Sequence, residues 1–294
     1  MKNKDRSFSY RATEESELLP LLLNIISNKS RNSIKSILAR GQVSVDGQSI
    51  TKHNYLVQAG QLVEIVDNRA AIGESSLSGI SILFEDEDIL VIEKEAGLLT
   101  VAGKDKSERT AYSELMNYVK QINPRNRIFI VHRLDRDTSG VLIFAKSEEV
   151  KKQLQDNWDD VVKERLYTAL VEGNLKKEKG TIQSYLKETR TYKVYSNPTD
   201  NGGQLSITHF RKIRGNRQFT LVAVELETGR KNQIRVHMQD IGHPVVGDKK
   251  YGSTVNPIKR LGLHATALTI LHPRTGEIMR FECEVPTSFV KKSL

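Results

Sequence analysis

The sequence predicts an α+β protein: a mixed, largely antiparallel sheet preceded by a small helix-helix-hairpin unit. Three observations lead there. Apolar runs of strand length recur at residues 80–84, 89–92, 128–131, 141–145, 166–171, 219–226, 265–271 and 278–284. Helical periodicity interrupts them only at 111–121, 148–158 and 231–239, so strands follow one another sometimes directly and sometimes through a helix, unlike regular βαβ winding. A glycine- and serine-rich stretch at 67–79 separates this region from what precedes it.

Taken in order, residues 1–15 are polar, charged and aperiodic, and are expected to form a loose arm. Apolar residues recur at helical spacing over 18–26 and 33–39, with Gly41 as a stop. Gln42 to Val45 alternates, Asp46-Gly47 is a hairpin turn signal, and 60–66 alternates again. The expected organisation is a compact unit over 16–66, a linker over 67–79 and a larger domain over 80–294. At 294 residues the chain is about twice the usual single-domain length, which fits two units.

Composition narrows the function classes. A formal charge of +9 attracts polyanions and makes nucleic acid the first candidate partner. Cys283 is the only cysteine, so no internal disulfide and no cysteine-type zinc site can form, and a reducing, cytoplasmic setting is expected. The apolar run at 18–23 contains Pro20 and is far too short for a bilayer, so no signal peptide and no membrane segment are expected. Gly97 and Gly103-Lys104 are one residue too far apart for a phosphate-binding loop. No dinucleotide fingerprint, Gly-x-Ser-x-Gly elbow or paired-histidine zinc helix is present, and the seven histidines are scattered.

Two regions carry chemistry. Between Lys29 and Val45 stand Lys29, Arg31, Lys35 and Arg40 with no acid, which makes a phosphate-sized positive edge or an ordinary solvated helix face. The segment from Ile128 to Ala145 sets a charged loop, His132-Arg133-Leu134-Asp135-Arg136-Asp137-Thr138-Ser139-Gly140, between two apolar strands, where folds display reactive groups on rigid supports. Asp137 and Thr138 read as turn and capping residues. For Asp135 the local sequence leaves structural and catalytic readings open, and Tyr167 taken alone reads as a packed strand residue.

Residues 31–38 and 41–47 are similar to the small RNA-binding module named after ribosomal protein S-four, a resemblance covering about 16–66. It implies RNA contact through Arg31, Lys35 and Arg40, directed at phosphates and shape rather than base edges. The loop at 132–140 resembles the signature of the RluA-type pseudouridine synthases. Further motifs follow in that family's order: Arg165-Leu166-Tyr167-Thr168-Ala169, Leu226 to His237, Gly242 to Gly252, Leu263-His264-Ala265 and His272-Pro273.

The resemblance runs from about residue 80 to 284 and implies a pseudouridine synthase fold. It implies Asp135 as the catalytic carboxylate, Arg235 as its partner and Tyr167 as the residue stacking on the target base. It places Arg133 in the gap left by a flipped nucleotide and Ile234 as an apolar wall. A guanidinium keeps a neighbouring carboxylate ionised and oriented, and an aromatic face replaces the stacking a base loses on leaving its helix. The isomerisation breaks a glycosidic bond, turns the uracil and rejoins it through carbon. No cofactor or metal is expected.

Two departures stand out. Glu93-Lys94-Glu95-Ala96-Gly97 lies where the family reads Asn-Lys-Pro, and Asn232 lies where histidine is common; both are expected to line or support the RNA surface. The expected partner is structured RNA, in particular large-subunit ribosomal RNA or a pre-ribosomal particle, acted on by a monomer. The rival readings are a transfer-RNA substrate or a non-catalytic RNA-binding or ribosome-assembly protein.

Overall fold

Alternating and apolar segments become strands much as expected in the computed structural model, which describes residues 8–26, 34, 37–38, 42–50, 52–65, 77–103 and 107–294. These fall into two units, one of residues up to 78 together with 115–126, the other of 79–114 with 127–294. Residues 115–126, expected in the larger domain, thus group with the smaller unit.

In the smaller unit, helix α1 (Leu18–Ile25) buries Leu18 and Leu22 against Ile34, Leu38, Val43, Val45, Val57 and Val63. Strands β1 (Phe8–Arg11), β3 (Val43–Val45), β4 (Gln48–Ser49) and β6 (Leu62–Ile65) form one sheet in the order β1-β6-β3-β4, and β2 (Ser16–Glu17) pairs with β5 (Leu56–Val57). The Asp46-Gly47 turn takes the positive φ values of 48° and 80° that a two-residue hairpin requires. Residues 8–11 are not a loose arm: they pair antiparallel with β6, and Tyr10 packs on the core. Four residues of mixed polarity are too few to register as a period. Of the second expected helix, Ile34, Ile37 and Leu38 are buried at helical spacing; Arg31, Lys35 and Arg40 lie outside the described residues.

The larger unit is a mixed sheet. Its strands are β7 (Ile80–Glu85), β8 (Ile89–Lys94), β9 (Phe129–Ile130), β10 (Ser139–Ala145), β11 (Val162–Glu172), β12 (Lys179–Glu188), β13 (Val194–Asn197), β14 (Gln204–Gly215), β15 (Phe219–Leu226), β16 (Leu263–Leu271) and β17 (Ile278–Glu282). The main order is β13-β12-β14-β15-β11-β16-β10-β8-β7, with β17 on β16 and β9 on β10. Among the described strand pairs only β10–β16 is parallel, with Ser139 opposite His264 and Gly140 opposite Ala265. Every residue of β10 is buried, as its unbroken apolar run demands of a central strand. The helices are α2 (Ala111–Ile122), α3 (Glu148–Asp156), α4 (Trp158–Val161), α5 (Gln233–Asp240) and α6 (Thr287–Lys292). No described helix is long and apolar enough to cross a membrane.

Helix α5 carries two of the residues singled out from the sequence, Ile234 and Arg235. Its Ile234 and Met238, one turn apart, pack into a cluster with Phe210, Val222 and Val224. Its other buried face is polar: His237 Nε2 meets Ser184 Oγ at 2.9 Å and Nδ1 meets Thr208 Oγ1 at 2.8 Å, while Gln233 donates to Thr208 Oγ1 at 2.9 Å. These bonds fix α5 on β12 and β14. These two hydroxyls, with that of buried Ser206, hide those strands in the sequence, because Ser184, Ser206 and Thr208 fill buried positions that an apolar alternation would mark.

Buried histidines give the fold an acid-sensitive component. His237 and His264 have no exposed surface, and burial pulls both pKa values from 6.5 to about 4. The unfolded chain therefore binds protons below pH 6.5 that the folded chain refuses. The stabilisation is fully present above about pH 6.5 and is lost as pH falls toward about 4. Denaturant unfolding at pH 6.5 and pH 5 should differ by about 3 kcal/mol for the pair. Equal stabilities at the two pH values would contradict this assignment.

Candidate active site

The loop from His132 to Thr138 joins β9 to β10 and is held along its length. His132 Nε2 accepts the Ile143 N–H at 3.2 Å, with its ring against Trp158. Burial pulls its pKa to about 4, so it stays a neutral acceptor. The Leu134 side chain is buried, and its carbonyl and N–H bond Thr100 Oγ1 at 2.9 and 3.2 Å. The Arg136 carbonyl accepts from the Gly97 N–H at 2.9 Å and from the Lys94 ammonium at 3.0 Å. Asp135 stands between two backbone positions that are each tied by two hydrogen bonds.

Lys94 is wholly buried and also donates to the carbonyls of Glu95 at 2.8 Å and Leu98 at 2.7 Å. Burial pulls its pKa down to about 8, offset in part by Asp137 and Asp135, so it remains charged at neutral pH. The segment expected to line or support an RNA surface therefore acts from within: Lys94 braces the Asp135 loop from below.

Helix α5 brings the counter-charge. Arg235 Nη1 donates to Asp135 Oδ2 at 3.0 Å and to Asn232 Oδ1 at 3.0 Å. Its Nε and Nη2 grip both oxygens of Asp248 at 2.6 and 2.8 Å, and its plane lies 5.0 Å from the Tyr251 ring centre. Burial alone would lower the guanidinium pKa, but Asp248 and Asp135 outweigh it and the net shift is upward. Asn232 takes left-handed φ 56°, which asparagine tolerates, and its amide donates to Tyr251 Oη at 2.9 Å. That is the physical use of asparagine at this position.

Strand β11 supplies the third group. A register shift between Leu166 and Tyr167 against β16 turns the strand at that point. Burial pushes the Tyr167 phenol up to about 12, with a contribution from Asp135. Arg133, Asp135, Tyr167, Ile234, Arg235 and Leu263 all line one pocket of about 300 Å³. Five residues singled out from sequence thus meet in one hollow, with Asp135 and Arg235 in direct contact.

Asp248 has only 1% of its side chain exposed, so removing its partner strands a buried carboxylate. Arg235→Met is expected to cost about 3–5 kcal/mol in denaturant unfolding. An unchanged midpoint would show that the pair is not bearing on stability.

Asp86, Asp88 and His272 place potential metal-ligand atoms within 4.8 Å of one another. Arg274 already holds both Asp88 oxygens, at 2.7 and 2.5 Å. His272 Nε2 donates to Asp86 at 2.9 Å while its Nδ1 accepts backbone N–H groups. This cluster is an ion-paired corner of the fold.

The sequence matches the family described as RNA pseudouridylate synthase over residues 88–240, more than half of the chain. The chain belongs to the RNA pseudouridylate synthase family. The synthase is an isomerase acting on RNA. It is 33% identical over 278 residues to a Bacillus subtilis protein described as uncharacterized RNA pseudouridine synthase YhcT, covering 93% of this chain and 91% of that one. To ribosomal large subunit pseudouridine synthase D of Nitrosomonas europaea it is 32% identical, covering 90% and 80%. The solved human RNA pseudouridylate synthase domain containing 4 shares the fold, with TM-score 0.60, 22% identity and coverage of 72% and 91%.

Sequence reasoning about the synthase missed Asp248, Lys94 and Tyr251 as parts of the site. Only Asp248 left a usable signal: an arginine buried next to one carboxylate leaves donors to satisfy, and an acid between two glycines, Gly247 and Gly252, was available nearby.

Proposed function

We propose that this synthase isomerises uridine in large-subunit ribosomal RNA, with Asp135 as the catalytic carboxylate, Arg235 as the group that orients it, and Tyr167 as the aromatic floor for the uracil. One arrangement carries the reading: a single guanidinium shared between the partly exposed Asp135 and the buried Asp248. Asp248 anchors the arginine, and the arginine presents a charged oxygen of Asp135 to the pocket.

The chemistry follows from those groups. Cleavage of the glycosidic bond develops positive charge on the sugar, which a fixed carboxylate stabilises or captures. The detached uracil must turn without escaping, and the walls formed by Tyr167, Ile234 and Leu263 confine it. With its pKa near 12, the Tyr167 phenol stays protonated at neutral pH and faces the base as a neutral ring and hydrogen-bond donor. Arg133, exposed at the pocket, has the planar cation suited to take the place of an extruded base.

The ribosomal substrate is supported by relatives named ribosomal large subunit pseudouridine synthase D, at 31–33% identity over most of both chains. The unit over 16–66 is read as an S-four-like RNA-binding module that adds phosphate contacts, and the active species as a monomer. Purified protein given large-subunit ribosomal RNA transcripts and, separately, a transfer-RNA pool should form pseudouridine in the former. Conversion confined to transfer RNA would overturn the substrate assignment.

A further inference from the structure

The turn between β12 and β13 presents a largely exposed aromatic ring. Tyr192 is 64% exposed and sits at φ 60°, in the left-handed region that glycine or asparagine occupies at low cost and a tyrosine does not. The turn is otherwise well built: Thr189 N–H and hydroxyl both donate to the Lys193 carbonyl, at 2.9 and 3.1 Å, and Tyr192 N–H donates to the Thr189 carbonyl at 2.9 Å. Its main chain is also tied to the sheet's other loops, because Lys250 Nζ donates to the Tyr192 carbonyl at 2.7 Å. A single exposed tyrosine is ordinary. A strained one held rigidly among cations beside the reaction pocket calls for a reason.

The surroundings name the ligand. Lys231, which lines the pocket, lies with its ammonium 5.5 Å from the Tyr192 ring centre. Lys231 is also paired with Glu188, which fixes its position. Arg190 and Lys250 are exposed nearby in the same turn and the loop tied to it, and Tyr195, 51% exposed, carries Lys193 over its own ring at 5.2 Å. Exposed aromatic rings interleaved with cations are the combination that holds unpaired nucleotides, the rings taking bases and the cations phosphates. Duplex RNA offers no free base face.

We propose that Tyr192 is a stacking platform for an unpaired base next to the target uridine, with Lys231 and Lys250 beside its phosphates. The proposal rests on the pocket being the uridine site. It makes the synthase select uridines whose neighbouring nucleotide is unpaired, and it extends the bound RNA from the pocket past Lys231 to the turn.

Three full-length variants test it with a labelled 12-nucleotide oligouridylate and a 12-base-pair RNA duplex as probes. Tyr192→Gly and Tyr192→Asn fit the left-handed backbone, so both should keep or raise the thermal midpoint while weakening oligouridylate binding about tenfold and duplex binding less than twofold. Tyr192→Phe should bind both as the wild type does, and ultraviolet cross-linking of the wild type should attach oligouridylate to the peptide containing Tyr192. Unchanged oligouridylate affinity in the glycine variant, equal losses for both probes, failure of phenylalanine to restore binding, or cross-links confined to other peptides would each overturn the proposal. Failure of the catalytic reading would appear elsewhere, as uridine conversion surviving Asp135→Asn whatever the affinities.

Discussion

Asp135→Asn is expected to lower single-turnover conversion of uridine by at least about 10³-fold while leaving the fold in place. The asparagine oxygen can still accept the Arg235 Nη1 hydrogen bond, and Arg235 stays clamped to Asp248, so geometry survives and only the negative charge is lost. The Asp135 side chain is 30% exposed, so the neutral amide leaves no stranded charge in the interior. RNA affinity should change little, since the contacts assigned to Arg133 and the basic surface remain. A kinetic loss with unchanged binding separates a catalytic carboxylate from one that merely shapes the loop. Rates within a few-fold of wild type would remove Asp135 from the reaction.

Gly140→Ala is the substitution expected to damage the fold most. Gly140 has φ 114°, outside the range of residues with a Cβ, and it lies where β10 first pairs with β16. An added Cβ would stand 2.1 Å from the Ala265 carbonyl oxygen and 2.7 Å from that residue's N and C atoms. All three are main chain, so no side chain can swing away, and the central parallel pair must separate. The expected cost exceeds about 4 kcal/mol, seen as loss of the cooperative denaturant transition or of soluble protein. Gly97 provides the comparison, with φ 90° and open space around its Cβ position; Gly97→Ala should cost only about 1–2 kcal/mol. Equal stability of the two variants would mean that the β10–β16 contact is not as close as described.

The loop from His132 to Gly140 was legible because it sets charged residues between two apolar strands. The meeting of Asp135 with Arg235, a hundred positions apart, was legible only through the resemblance of several ordered motifs; no local pattern links them. Strands β12 and β14 were not legible, since inward positions carry Ser184 and Thr208, which bond α5, and Ser206, which bonds the Gln204 carbonyl, rather than apolar side chains; β13 is only four residues long. Asp248 and Lys94 escaped because a buried charge is defined by its partners, and those partners are main-chain carbonyls or a residue on another element. The Glu93-Lys94-Glu95 segment was expected to line or support an RNA surface, whereas Lys94 is wholly buried and bonds main-chain carbonyls.

If the carboxylate at position 135 performs the isomerisation, cells without it lose the modification. Pseudouridine maps of large-subunit ribosomal RNA from cells lacking the protein, and from the same cells supplied with wild type or with Asp135→Asn, bear on it most directly. The expected maps show at least one site lost in the deletion, restored by the wild type and still absent with the asparagine variant at equal protein level. Restoration of that site by Asp135→Asn would contradict the account.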